Sequence, residues 1–458
     1  MKRANSLLGL ATLALLLRLL APVLSFSASE EKAQVFRTAG TAQELQLAKG
    51  WVRSGSFSWE GVPEIMRTPG FSAFLLPGAA MRNPETVSVV LQALLGTATV
   101  LLLYRLAWLV TGRQAPALLA ALLLAVEPLS ILLVAQVRPQ PLFTFLLVLH
   151  LTLLSTFLRG GGLRPLLWGA VTASGCAFVD PAALCLPWLG FLLLLIRLPA
   201  RRPRGRGLIH AFAFLLLAVG LTGLWRTRNQ VVVNYPGFSA RTAQRLYLDL
   251  GSKVLALRDG ADAAAERATL AQNLEKKFPA DTPENRARTQ GRRFRFERTE
   301  GLRLLGENPA LLAPVLAREV LAALTGPVSP FYWGVSPGLD ALAHPALSAS
   351  SPFGGAFRAA LDEVRAADPV AFPLSLLLEG LAGALLLLAL IGLLRGKDLP
   401  VSARLAFLVF VVVFLVFSGG AGAPVLARHA VMPVICLLAA EGLCSLARTR
   451  ETAAPIPV

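Results

Sequence analysis

Nine apolar runs of 17 to 32 residues divide this chain. In a bilayer each such run must close its backbone hydrogen bonds within itself, so the runs read as transmembrane helices. They fall at residues 6–25, 87–110, 115–134, 141–158, 166–197, 208–227, 371–394, 402–418 and 425–447. The fifth is 32 residues long and interrupted by Asp180-Pro181, so it is either one long span or a tight pair of short ones. Composition agrees: 55% of residues are hydrophobic and 16% charged, against about 25% charged in soluble domains. A soluble enzyme, a fibre and a disordered regulator are thereby excluded.

The distribution of positive charge chooses between the two readings of the fifth run. If the chain turns at Val179-Asp180-Pro181-Ala182, ten spans result, with both termini inside. The inner connections then collect Lys2, Arg3, Arg113, Arg159, Arg164, Arg197, Arg201, Arg202, Arg204, Arg206, Arg395, Lys397, Arg404, Arg448 and Arg450, while the short outer loops hold Arg138 and Arg428. A single span would push the cluster Arg197 to Arg206 outward. The pair is therefore expected. The net charge of +17 belongs to these connections, so it sets topology and implies no nucleic-acid partner.

The expected organisation is all-α and polytopic: a first membrane region over 1–227 with an outer loop at 26–86, an outer helical segment over 228–370, and a closing membrane region over 371–458. From Glu300 to Leu321 apolar residues recur at i, i+3 and i+4, which predicts helix in the outer segment. Stretches 259–293 and 334–369, rich in Ala, Asp, Arg, Pro, Ser and Gly, are expected to be looser. No internal repeat of 20 to 50 residues is apparent. The start, Met1-Lys-Arg before an apolar run and Ser25-Phe-Ser-Ala-Ser, also reads as a signal peptide, against which Arg18 inside the run argues. Cys176, Cys185, Cys436 and Cys444 all lie in apolar runs without a CxxC pair, so no disulfide framework or zinc site is indicated.

Charges in or beside apolar runs are expensive and invite functional readings. Glu127, Glu379 and Glu441 read first as pairing or snorkelling groups. Four arginines stand at outer ends of spans or in outer loops, where the orientation rule depletes them: Arg67 in Arg-Thr-Pro-Gly-Phe, Arg138 in Val-Arg-Pro-Gln-Pro, Arg228 in Trp-Arg-Thr-Arg-Asn and Arg428 in Ala-Arg-His-Ala-Val-Met-Pro. A guanidinium grips phosphate with a planar fork. A lipid-linked phosphate is thus one ligand for them; pairing with headgroups or loop carboxylates is the other reading.

In their order these segments resemble the polytopic lipid-dependent glycosyltransferases of the GT-C superfamily, in particular the bacterial relatives of dolichyl-phosphate-mannose protein mannosyltransferases and of the lipid A aminoarabinose transferase. The resemblance rests on Leu-Leu-Leu-Arg18, on Leu47-Ala-Lys-Gly-Trp-Val-Arg-Ser-Gly-Ser-Phe-Ser58 and on Arg67-Thr-Pro-Gly-Phe71. It continues through Val126-Glu-Pro128, Arg138-Pro-Gln-Pro-Leu-Phe143, Trp225-Arg-Thr-Arg-Asn229, Glu307-Asn-Pro309 and Ala427-Arg-His-Ala-Val-Met-Pro433. It implies a sugar moved from a polyprenyl-phosphate donor to a glycan, lipid or protein acceptor on the outer face of a bacterial inner membrane. A carboxylate would deprotonate the acceptor or hold a divalent metal, and Arg67, Arg138, Arg228 and Arg428 would meet the carrier phosphate.

The departures matter equally. The family places an Asp in the first outer loop as Asp-x-x-x-Tyr-x-x-x-Ala; counted back from Ala48, Gly40 stands at the Asp position and Glu44 at the Tyr position. No Asp precedes Asp180, and Gln140 replaces the family's Glu before Leu-Phe. Glu44, one turn beyond the missing Asp, is the candidate catalytic carboxylate, with Glu30, Glu31, Glu60 and Glu64 in the same loop; the plainer reading sets Glu44 on the solvated face of an amphipathic helix. A catalytically silent scaffold or lipid-binding subunit is accordingly the alternative function. A transporter would show matching inverted halves, and none is apparent.

Overall fold

The computed structural model describes residues 2–28, 35–38, 40–81, 83–197, 204–279, 282–326, 371–418 and 424–453. In chain order its elements are α1 (Lys2–Ala28), α2 (Thr41–Ser54), a hairpin of β1 (Ser58–Trp59) and β2 (Val62–Pro63), α3 (Pro69–Ala79), α4 (Pro84–Thr111), α5 (Gln114–Val126), α6 (Pro128–Leu132), α7 (Gln140–Leu158), α8 (Leu163–Val179), α9 (Leu186–Arg197) and α10 (Arg204–Val233). There follow α11 (Ala240–Gln244), a π-helical turn over Arg245–Leu250, α12 (Gly251–Asp259), α13 (Ala263–Lys277), α14 (Pro283–Glu307), α15 (Pro309–Thr325), α16 (Ala371–Arg395), α17 (Val401–Ser418) and α18 (Pro424–Ala453).

The protein is an all-α, multi-pass membrane protein. Among the described residues seven helices are long and apolar enough to cross a bilayer, an eighth crossing is the bent pair α5 and α6, and Leu163–Val179 and Pro181–Ile196 are shorter apolar helices. The short pair does reverse at Asp180. A Cβ on Gly169 would meet Leu154 at 3.5 Å, and one on Gly190 would meet the same side chain at 3.6 Å. A straight helix would hold those glycines about 30 Å apart. Asp180 Oδ1 accepts the Ala182 N–H at 2.9 Å and so caps the returning turn.

The crossing at α5 and α6 bends by 55°, and two buried charges satisfy the backbone groups that the break exposes. Arg18 of α1, 1% exposed, donates to the Leu124 and Ala125 carbonyls at 3.1 and 3.2 Å. Glu127 accepts the Leu129 and Ser130 N–H groups at 3.1 and 2.6 Å, together with the Ser130 hydroxyl. A cation thus meets the carbonyl end of α5 and an anion the amide end of α6, each matching the local helix dipole. Glu127 is a helix cap rather than a snorkelling group.

Elements α2, α3, the hairpin and α11 to α15 gather at one end of the bundle, here the domain end. Arg245 anchors them: its guanidinium donates to the Val416 and Phe417 carbonyls at the end of α17 and pairs with Glu319 of α15 at 3.1 Å, which also takes Lys253 at 2.7 Å. At the opposite end Asp398 accepts Arg113 at 3.0 Å on both oxygens and also pairs with Arg448, tying the connection after α4 to the α16–α17 connection and to α18.

The expectation of loose chain over 259–293 is corrected, because its described residues lie largely in α13 and α14. Asp262 caps α13 by accepting from Ala264 and Ala265, and Thr282 caps α14 ahead of Pro283. Leu270 and Leu274 then pack on Tyr247 and Leu248. Capping and a few buried leucines outweigh the polar composition. The patterned run from Glu300 is two helices, broken at Asn308-Pro309, where proline starts α15. Stretch 334–369, Glu30 and Glu31 lie outside the described residues.

Candidate functional site

The first connection, between α1 and α4, builds a polar site at the domain end. Helix α2 is amphipathic, with Leu45, Leu47 and Ala48 buried, and its first residue is fixed where the Thr41 hydroxyl donates to the Val137 carbonyl at 3.0 Å. The next segment turns through a two-residue hairpin loop with Glu60 at φ 52° and Gly61 at φ 76°, the left-handed pair that a tight hairpin demands. Glu64 then accepts the Met66 and Arg67 N–H groups at 2.6 and 2.9 Å, which sets the direction in which Arg67 leaves the backbone. Helix α3 starts at Pro69, and Gly70 seats it against α8, since a Cβ there would stand 2.5 Å from the Phe178 carbonyl oxygen.

The motif Arg67-Thr-Pro-Gly-Phe71 thereby delivers two side chains to Glu44. Arg67 Nε lies 3.1 Å from Glu44 Oε1, and the Ser72 hydroxyl donates to Glu44 Oε2 at 2.7 Å. Arg67 also donates to Gln43 and lies over the Trp59 ring, 5.7 Å from its centroid. The Glu44 side chain is 16% exposed, so it does not sit on a solvated face. Burial raises the Glu44 carboxyl above the ordinary range, aided by Glu64 and opposed by the Ser72 hydrogen bond and by Arg67 and Arg241.

The other arginines hold different partners. Arg228, on α10, donates to the Glu64 carbonyl at 2.8 Å and to the Phe57 carbonyl at 3.0 Å, and stacks 4.8 Å from the Trp225 centroid. Its neighbour Asn229 donates to the Gly237 and Phe238 carbonyls, both at 3.0 Å. Trp225-Arg-Thr-Arg-Asn229 therefore binds the hairpin and the chain entering α11, and Arg228 shares Glu64 with the site. Arg138 donates to Gln136 at 2.7 Å, and burial lowers its pKa to about 10. Arg428, 2% exposed, donates to the Leu324 carbonyl at 2.8 Å, near the end of α15. Glu44 and Arg67 are thus in contact, Arg228 borders them, and Arg138 and Arg428 have partners elsewhere.

Ser72 and Gln43 were not singled out from sequence, and Glu64 was named only as another carboxylate of the first outer loop. Ser72 directly follows the Arg67 motif, which is the signal that would have found it; Gln43 has none beyond its adjacency to Glu44. Among the described residues no three of His, Cys, Asp and Glu come together as metal ligands. The cation at Glu44 is a guanidinium, so this donor set does not fit a resident divalent ion, which prefers several oxygen ligands.

No family model and no curated protein sequence matches this chain. Solved structures similar to it include the Archaeoglobus fulgidus oligosaccharyltransferase in the apo form, with 17% identity and a TM-score of 0.49 over 99% of this chain. A second is the archaeal oligosaccharyltransferase AglB from Archaeoglobus fulgidus in complex with an inhibitory peptide and a dolichol-phosphate, with 15% identity and a TM-score of 0.48, again over 99% of this chain. A third is ArnT from Cupriavidus metallidurans bound to undecaprenyl phosphate, with 14% identity and a TM-score of 0.41 over 97% of this chain and 79% of that one. The chain spans about half the length of the two oligosaccharyltransferases, 52% in each case.

Proposed function

We propose that this protein is a bacterial inner-membrane glycosyltransferase that moves a sugar from a polyprenyl-phosphate carrier to an acceptor hydroxyl at the outer face, where the domain end lies. The observation that carries the reading is the half-buried carboxylate Glu44 in direct contact with Arg67 at the mouth of the bundle. In the reaction the acceptor oxygen attacks the anomeric carbon, the bond from that carbon to the phosphate oxygen breaks, the acceptor proton passes to Glu44, and the carrier leaves as its phosphate. A carboxylate with a raised pKa is the better base for that proton, and a guanidinium fork offsets the negative charge of the departing phosphate.

The two roles reinforce each other. A carrier phosphate that takes the Arg67 fork removes the cation from Glu44, which raises the carboxylate's proton affinity as the donor arrives. Arg138, Arg228 and Arg428 are the further phosphate candidates. Each donates to neutral amide or carbonyl oxygens, weaker acceptors than a phosphate. A second reading, a silent scaffold or lipid-binding subunit, is favoured by one observation: Gly40 holds the position of the family's Asp. Transfer assays with a panel of polyprenyl-phosphate sugars test the choice. Activity abolished by Glu44→Gln supports the enzyme; an inactive wild type that still binds polyprenyl phosphate supports the scaffold. Undiminished carrier binding in both Arg228→Ala and Arg428→Ala would leave those two arginines with their backbone partners alone.

A further inference from the structure

Helix α14 buries Gln290, Gly291, Phe294, Glu297, Gly301 and Leu305 on one face. Its two flanks differ in how their arginines are used. On one flank Arg286 pairs with Glu60, Arg293 with Glu275 and Glu297, and, toward the exposed side, Arg303 with Glu300 and Glu307. The other flank carries Arg288, Arg292, Arg295 and Arg298 at helical spacing, with Glu284 at its start as the acidic residue. Among the described residues none of those four arginines is in an ion pair, and Arg288 and Arg292 are exposed. Like charges one turn apart repel, so an anionic partner would stabilise this flank.

Its position says which partner. Gly291, beside the flank, packs directly on the Val233 carbonyl at the end of α10. Arg298 and the exposed Arg226 both lie within electrostatic reach of Tyr235, just beyond that end. Below the flank α10 presents Leu224, Val231 and Val232 outward, 69%, 78% and 47% exposed, the apolar surface of a helix facing lipid. Val231 and Val232 lie within two residues of the Val233 contact, about 3 Å along the helix, and a headgroup layer is about 5–8 Å deep. The arginine flank therefore stands at the height of lipid phosphates, immediately above lipid-facing side chains.

We propose that Arg288, Arg292, Arg295 and Arg298 bind anionic phospholipid headgroups of the leaflet at the domain end. The guanidinium forks match phosphate oxygens, and the site is separate from Glu44 and independent of the reaction proposed for it. Native mass spectrometry of the full chain, titrated with phosphatidylglycerol, phosphatidylcholine or undecaprenyl phosphate, tests it. Wild type should prefer phosphatidylglycerol, and Arg288→Gln, Arg292→Gln and Arg295→Gln combined should weaken that binding by on the order of a hundredfold, about fivefold for each arginine, while phosphatidylcholine is unaffected. The single variant Arg292→Gln, at an exposed position, serves if the triple variant does not fold, with a loss of about fivefold expected. Phosphatidylglycerol affinity unchanged in a variant that melts as wild type overturns the proposal. So does a loss confined to undecaprenyl phosphate, which would make the flank a carrier site.

Discussion

Asp398 and Glu44 are carboxylates at opposite ends of the same bundle, and their surroundings differ in kind. Asp398 takes two guanidinium groups, from Arg113 and Arg448, so both of its oxygens are engaged by cations and three parts of the chain are tied together. Glu44 takes one guanidinium and one hydroxyl, in a setting buried enough to raise its pKa, while Arg228, which borders it, donates to backbone carbonyls. A carboxylate enclosed by two cations is a clamp. One with a single displaceable cation retains the capacity to accept a proton.

The contrast breaks most visibly in the proposed transfer activity. Glu44→Gln should lower the rate about 10²–10⁴-fold, the range for losing a general base, with unchanged expression and melting; Asp398→Asn should leave the rate intact. The pH profile sharpens the point. Glu44 accepts protons only above its pKa, and burial has raised that pKa, so the acid limb of the profile should lie above that of an ordinary carboxylate. Arg67→Gln, which removes a cation, should move the limb higher still; a limb that stays in place would uncouple Arg67 from Glu44.

Between the two ends, Arg18→Met should destabilise the fold by about 3–5 kcal/mol, as breaking a buried charge arrangement does, read as a fall in the melting temperature in detergent. In the domain, burial raises the Glu297 carboxyl to about 7. The folded state then binds more protons than the unfolded between about pH 4.5 and 7, so stability falls as pH rises through that window, by on the order of 3 kcal/mol. Glu297→Gln should flatten the decline in melting temperature across it. The smallest effect is expected at the clamp: Asp398→Asn should cost about 1 kcal/mol, because Arg113 is half exposed and solvent screens such pairs.

Much of the fold was legible in the sequence because apolar run length and positive charge report directly on the bilayer. The reversal at Asp180 follows from where Arg197 to Arg206 would otherwise fall, whereas the periodicity over Glu300 to Leu321 hid the break at Asn308-Pro309. Helices α13 and α14 were obscured because Ala, Arg and Asp at 259–293 look like a linker until Asp262 and Thr282 are seen as caps. The site was less legible. Arg67 and Glu44 were each visible as local oddities, but their contact depends on Glu64 directing the Arg67 backbone and on Gly70 letting α3 approach Phe178, distances that no local pattern encodes. The docking of Arg245 on the end of α17 joins residues more than 170 positions apart, beyond any periodicity.

The joint between α5 and α6 has a consequence for how the chain is made. Arg18 lies in α1, whereas the carbonyls it caps belong to residues synthesised more than 100 positions later. An arginine at the centre of a spanning helix costs about 2.5–3.5 kcal/mol at insertion. During synthesis α1 therefore carries a cation without these two carbonyls until α5 arrives. The residue that joins α1 to the break in the finished bundle is thus one whose partners are made long after it.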